Sequence, residues 1–342
     1  MRNQLFGANT KTSEMAKRIK RACELFFCCN AVELYPLGAI WRGSAQYADK
    51  RLQFVVKPFQ RKSVGSDAEL YQINERVRRT DPRIAQGFVE IMGCLPDEKA
   101  IVMEYVPGPT LQNMLYRQLW GCGSLSERFI RETAELFTCL HAIEADSIGA
   151  LPMPMENLSY KDSLESIWRE SAPAFGLTGR YRSPAALYRF LKEGWEDRIQ
   201  PHKLLHTDAQ PKNIIVSSAG VKLIDPDYRS GNPTASVAAF LLSLDRISFL
   251  TPLPNQRELV RDWKRIFLDA YLEASDSKET IIEDLFLFYP WSILNGWKQH
   301  CIWRPHMRAL LGLVYGQLLR RFIDILETTW RRETNRRDCF TI

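Results

Sequence analysis

The segment His206–Asp227, HTDAQPKNIIVSSAGVKLIDPD, constrains this chain more than any other. Two short apolar runs of high β-propensity, Ile214–Val216 and Val221–Ile224, flank Ser217-Ser218-Ala219-Gly220, the pattern of a β-hairpin with a short glycine-containing turn. A hairpin brings its two ends side by side. His206, Asp208 and Asn213 precede the first strand, and Asp225 and Asp227 follow the second, so carboxylates and an amide converge at one end. Such oxygens are hard ligands of the kind Mg²⁺ takes, with substrate phosphates completing the shell. The order H-x-D-x-x-x-x-N, hairpin, I-D is the one used in kinase-type phosphoryl transfer.

These residues resemble the signature of the aminoglycoside phosphotransferase and choline kinase family, a branch of the protein-kinase-like fold. The family reads H-G-D-x-H-x-x-N, then I-D-F or I-D-P. Here the residues are His206-Thr207-Asp208-Ala209-Gln210-Pro211-Lys212-Asn213, then Ile224-Asp225-Pro226-Asp227. Thr207 stands at the usual glycine and Gln210 where a second histidine is common. Downstream, residues 231–238 match the family's G-D-P-x-x-D-L-A frame, with Ser236 in place of the aspartate that braces the catalytic loop. A hydroxyl braces less strongly than a carboxylate, because charge-assisted hydrogen bonds are the stronger ones. The resemblance implies an α+β, bilobal protein-kinase-like fold: a nucleotide-binding N-lobe with a small antiparallel sheet over residues 1–105, and a mainly helical catalytic and acceptor-binding C-lobe over 106–342. It further implies Asp208 as catalytic base, Asn213 and Asp225 as Mg²⁺ ligands, ATP as phosphoryl donor and a small-molecule acceptor.

Ahead of the signature, residues 13–28 place Met15, Ile19, Cys23, Phe26 and Phe27 near one helical face, with Ser13 as a candidate cap. Strand-like runs follow over 31–37, 38–50 and 51–59. Gly38, Gly43 and Ser44 are expected around the turn between the first two. By resemblance this turn closes over the nucleotide phosphates, with Gly38 and Ser44 as contacts, although no G-x-G-x-x-G is present. Lys57 ends the apolar run LQFVVK. An ammonium on such a strand needs an anionic partner, because burying it alone is costly. The partners implied are ATP phosphates and a carboxylate on the following helix, roughly 65–79, with Glu69 as the choice and Glu75 as the alternative. Two further strands, 87–95 and 99–106, lead into IVMEYVPGPTL, which resembles the family's inter-lobe hinge. Backbone groups from Glu104 to Val106 would bond the adenine edge there, with Met103 bordering the base or lying in the core.

Beyond the hinge the periodicity is helical: 110–120 with Thr110 as cap, and 124–140 with Ser126 as candidate cap. His141 is expected to be packed rather than catalytic. Residues 149–184 are rich in Gly, Pro and Ser and read as a loop region; 185–199 read as a helix. After the signature the chain is helical from Val237 onward, and Trp263, Phe267, Tyr271, Trp291 and Trp297 are core candidates, some with the option of lining the acceptor pocket.

Bulk properties narrow the class. The chain has 342 residues, 45% of them hydrophobic and 25% charged, which is globular composition with room for two lobes. No apolar run reaches the length of a membrane span, and the charged N-terminus lacks the pattern of a signal peptide, so a cytoplasmic protein is expected. The eight cysteines form no zinc-ligand spacing and are expected as reduced thiols. The net charge of +6 is concentrated late, at Arg320–Arg321, Arg331–Arg332 and Arg336–Arg337. This reads as a solvated helix face and tail, against attraction to an anionic substrate, a membrane surface or nucleic acid; no nucleic-acid module accompanies the charge. Two alternatives stand beside an ATP-dependent small-molecule kinase: a kinase-like binding or regulatory protein with impaired turnover, and a sugar or glycolipid kinase at a membrane surface.

Overall fold

In the computed structural model, the described residues are 2–29, 31–37, 40–47, 50–58, 67–150, 203–249 and 253–332. They form two compact units, Met1–Pro107 and Gly108–Ile342.

The first unit is built on a five-stranded antiparallel sheet of order β1-β2-β3-β5-β4. The strands are β1 (Val32–Leu37), β2 (Ile40–Tyr47), β3 (Lys50–Pro58), β4 (Ile91–Leu95) and β5 (Ala100–Glu104). Helix α1 (Arg2–Phe26) starts well before Ser13, which lies inside it rather than capping it. Of the predicted face, Ile19, Cys23 and Phe27 close a core with Trp41, Phe54 and Val56 from one side of the sheet, Phe26 packs partly buried against it, and Met15 is exposed. Period-two alternation leaves Val55 and Lys57 on the other side.

Gly43 and Ser44 are not in the β1–β2 turn as expected. They sit inside β2, opposite Leu34 and Glu33 of β1 and Phe54 and Gln53 of β3. The physical reason for Gly43 is close packing: a Cβ there would come within 2.4 Å of the Phe54 ring. Gly38, the remaining turn residue, lies outside the described residues.

Helix α2 (Asp67–Thr80) is pinned to the sheet by Asn74, fully buried, which donates to the Val89 carbonyl and accepts from Ile91 N–H. A short helix α3 (Pro82–Gly87), capped by Asp81, intervenes before β4, which starts at Ile91 rather than at Gly87.

The second unit is mainly helical. It contains α4 (Leu111–Leu119) and α5 (Glu127–His141), capped by Thr110 and Ser126 as predicted, and a short α6 (Ala145–Ile148). After the undescribed stretch, which holds the predicted 149–184 loop region almost entirely and the 185–199 helix, come α7 (Pro233–Phe249), α8 (Pro254–Glu273), α9 (Lys278–Trp303) and α10 (Arg308–Arg332). Phe137, Phe240, Phe267 and Tyr271 stack edge-on or face-to-face through its core. Trp263, Phe267, Tyr271, Trp291 and Trp297 are all buried, as core candidates should be. Of the late arginines, Arg320 and Arg321 are partly buried rather than fully solvated. Among the described residues no helix is long and apolar enough to cross a membrane, and the seven described cysteines are free thiols.

His141 is packed, as expected, with Nδ1 2.8 Å from the Tyr271 hydroxyl. Burial pushes its pKa down from 6.5 to about 3. Between those values the unfolded chain binds a proton that the fold excludes. The contribution is whole above pH 6.5 and is lost as pH falls toward 3. Urea unfolding from pH 7 to 5 is expected to show a falling midpoint, with a shallower fall in His141→Gln; an unchanged slope would count against the account.

Candidate functional site

Four short strands in the second unit assemble the signature. The predicted hairpin is β7 (Ile214–Ser217) and β8 (Gly220–Leu223), turning at Ser218–Ala219. Gly220 has φ +121°, a conformation that suits glycine. A second pair, β6 (Lys203–His206) and β9 (Tyr228–Gly231), encloses the hairpin in sequence and was not legible there. The two pairs do one thing each. Through β7–β8, Ile224 N–H donates to the Asn213 carbonyl at 2.8 Å, which puts Asp225 next to Asn213. Through β6–β9, Thr207 N–H donates to the Asp227 carbonyl at 3.0 Å, which puts the start of the loop against its end. Asp225 itself has φ +60°, in the left-handed region that non-glycine residues rarely occupy. Strain of this kind, of order 1–3 kcal/mol, is found where the surroundings hold a residue for function.

Asp208 is the centre of the loop. Asn213 Nδ2 donates to both its carbonyl and its Oδ2, at 2.8 and 2.9 Å. Gln210 Nε2 donates to Oδ1 at 2.7 Å, and Lys212 Nζ lies 3.0 Å from Oδ2. Gln210 and Lys212 were missed as site residues; the i,i+4 spacing of Asp208 and Lys212 was the available signal. With Nδ2 committed, Asn213 has its Oδ1 left as an oxygen donor. One amide oxygen and the Asp225 carboxylate form a donor set that suits Mg²⁺, which keeps waters and takes phosphate oxygens rather than a protein cage. Among the described residues no group of three or more His, Cys, Asp or Glu side chains is disposed to hold a metal.

The departures from the family pattern have local explanations. Thr207 Oγ1 bonds Asp227 Oδ2, and Arg229 Nη2 lies 3.5 Å from Asp227 Oδ1, so Asp227 braces the loop. Ser236, buried, donates to the His206 carbonyl at 3.4 Å. His206 is buried too, with Nδ1 accepting from Asp208 N–H at 3.2 Å. Burial lowers its pKa against the opposing pull of Asp208, Asp225 and Asp227, so the ring is a neutral brace. At the start of this unit, Gly108 has φ +140°, and a Cβ there would come within 2.3 Å of the Val216 carbonyl oxygen. Pro109 accepts from Val216 N–H at 2.9 Å, tying this segment to the hairpin.

In the first unit, Lys57 lies partly exposed on β3 opposite Ile101, and Glu69 is exposed in the first turn of α2. Glu75, the alternative partner, is engaged by Arg79 at 2.9 Å. Glu104 ties the last two strands together: its N–H donates to the Glu90 carbonyl and its Oε1 accepts from Glu90 N–H. Tyr105 N–H donates to the Gln53 carbonyl, which leaves the Val106 amide outside these ladders. Met103 is buried. Ser44 Oγ accepts from Arg51 Nη2 at 2.9 Å. It lines a recess on the Lys57 side of the sheet together with Tyr35, Leu37, Arg42, Arg51 and Gln53.

No family model matches the chain, and no curated protein matches it significantly. Solved structures do. The chain is similar to a Plasmodium vivax ethanolamine kinase at 11% identity and TM-score 0.50, over 84% of this chain and 82% of that one. It is similar to APH(2″)-IIa in a gentamicin complex at 15% identity and TM-score 0.51, over 89% and 95%. A GDP complex of an aminoglycoside 2′-phosphotransferase-IIIa variant matches at 15% identity and TM-score 0.50, over 85% and 92%. The fold is therefore the bilobal, kinase-like α+β fold of these aminoglycoside phosphotransferases and the ethanolamine kinase, with the antiparallel sheet first and the helical unit second.

Proposed function

We propose that the protein is a small-molecule kinase that moves the γ-phosphoryl group of ATP to a hydroxyl or amine of its acceptor. The observation that carries the reading is the interlock of Asp208 and Asn213, with Asn213 in turn hydrogen-bonded to Ile224 beside Asp225. It ties into one hydrogen-bonded loop the residues to which this reading gives the proton-accepting and cation-holding roles. Asp208 would orient the acceptor and take its proton. Asn213 Oδ1 and Asp225 would hold Mg²⁺, which supplies charge neutralisation on the phosphates when bound. Lys57 would hold the α/β-phosphates, with Glu69 as its carboxylate partner, and the Glu104 carbonyl with the Val106 amide would meet the base edge. Gly38 and Ser44 stay as nucleotide contacts in this reading. Positioning and charge neutralisation account for most of the catalysis in such a transfer. Thr207 and Ser236, which pointed toward an impaired relative, both make loop-bracing bonds here, and this favours a working enzyme.

The test is calorimetric titration with ATP and Mg²⁺, wild type against Asp225→Ala, with slow ATP hydrolysis followed in the same samples. Magnesium-dependent binding that disappears in Asp225→Ala is the expected result. An absence of nucleotide binding in the wild type would end the enzyme reading.

A further inference from the structure

The second unit carries a group of cations that phosphoryl transfer itself does not use. Arg246, in the last turn of α7, directs Nη2 to His300 Nε2 on α9, 3.0 Å away. His300 Nδ1 lies 2.7 Å from the Gly296 carbonyl and 2.9 Å from the Tyr315 hydroxyl. A guanidinium only donates, so Nε2 accepts and Nδ1 carries the hydrogen. The ring is neutral. Its pKa lies below the ordinary value because of burial and then the Arg246 charge, with Arg304 and Lys212 adding in the same direction. Lys212 is also the partner of Asp208, so the positive field reaches the catalytic loop.

Among the described residues Arg246 meets no carboxylate; its chain neighbour Asp245 is committed to Lys264. Arg246 and His300 are partly exposed and Arg304 is exposed, so a dissolved ligand can reach all three. A partly buried guanidinium without a counter-charge is costly unless a ligand supplies one.

We propose that Arg246 and His300, with Arg304 and Lys212 beside them and Tyr315 positioning the imidazole, form a subsite for an anionic group, phosphate or carboxylate, carried by the phosphoryl acceptor. Assigning it to the acceptor rests on the kinase reading above. Arginine binds such groups through paired, charge-assisted hydrogen bonds. An anion that takes over the Arg246 guanidinium frees His300 Nε2, and the ring then gains a proton there as its cationic neighbours are offset. A cationic acceptor of the choline or aminoglycoside kind would be repelled here.

The experiment titrates full-length protein, free of nucleotide, with inorganic phosphate while the imidazole nitrogens of the five histidines are followed by NMR, His300→Gln supplying the assignment. A saturable shift of His300 with a rising apparent pKa is expected. Arg246→Gln should weaken binding at least about tenfold, and Arg304→Gln, an exposed change that leaves packing alone, should weaken it less. A His300 signal that ignores phosphate, or binding equal in wild type and both variants, would overturn the subsite. A second arm compares a hexose phosphate with the neutral hexose as acceptor in the presence of ATP and Mg²⁺. A lower KM for the phosphorylated sugar, lost in Arg246→Gln while intrinsic ATP hydrolysis stays unchanged, supports the acceptor assignment. Equal KM values for the two sugars would count against it. Phosphate binding at Arg246 in a protein that binds no ATP would sink the kinase reading and leave the anion site standing.

Discussion

Asp208→Asn is expected to lower ATP turnover by about 10²–10⁴-fold, the range that a positioned general base contributes. The carboxylate now receives three donors, from Asn213, Gln210 and Lys212. Asparagine keeps the size but offers one acceptor oxygen and presents an NH₂ to groups that are themselves donors. It therefore loses the proton acceptor and loosens the loop together. Nucleotide affinity should fall less than turnover, because Asp225 and Lys57 keep their charges and Asn213 keeps its bond to the Asp208 carbonyl, so the larger effect belongs in kcat. Single-turnover hydrolysis with ATP affinity measured alongside separates these quantities. Wild-type turnover in the variant would remove Asp208 from the chemistry, and a large loss of ATP affinity would recast it as a ligand-binding residue.

Asp245→Ala is expected to destabilise the second unit by about 3–5 kcal/mol, the cost of stripping one partner from a buried ion pair. Lys264 Nζ lies 3.0 Å from both Asp245 oxygens, and the Tyr289 hydroxyl bonds Oδ2. All three residues are buried, with Lys264 only 3% exposed. Burial lowers the Lys264 pKa against the pull of Asp245, and burial and then the Asp245 charge raise that of Tyr289. Removing Asp245 strands the Lys264 ammonium in low dielectric and takes an acceptor from the Tyr289 hydroxyl. Replacing the pair by apolar residues, as in Asp245→Leu with Lys264→Met, should recover most of the loss, since buried pairs contribute little net stability over well-packed apolar groups. Asp262, paired with Arg265 on the surface of α8, is the control: Asp262→Ala should cost no more than about 0.5 kcal/mol. Urea unfolding of the three variants checks the order. An Asp245→Ala cost as small as that of Asp262→Ala would show that water reaches Lys264.

The nearest-neighbour chemistry of this protein was legible in its residues. The hairpin at 214–223, the caps Thr110 and Ser126, and the buried face of α1 at Ile19 and Cys23 each follow from local pattern: period, turn residues and a polar side chain just ahead of an apolar run. The family signature carried the fold class from 22 residues. Where reading failed, the deciding partner was distant in sequence. Gly43 looked like a turn residue, yet its place in β2 answers to Phe54, eleven positions away, whose ring leaves no room for a Cβ. Strand β9, YRSG, is too short and polar to show period-two alternation, and it exists because β6 offers it a ladder.

The same division runs through the site. Sequence alone determined which oxygen and nitrogen donors stand at the mouth of the hairpin, because their spacing around a tight turn leaves them little choice. Only the tertiary structure decided what each one holds. Thr207 replaces the usual glycine and reaches Asp227, twenty residues on; Ser236 reaches His206, thirty residues back; and Arg246 meets His300 across two helices. Hydrogen bonds and ion pairs act over a few ångströms of space, and chain folding sets that space with no regard to sequence distance.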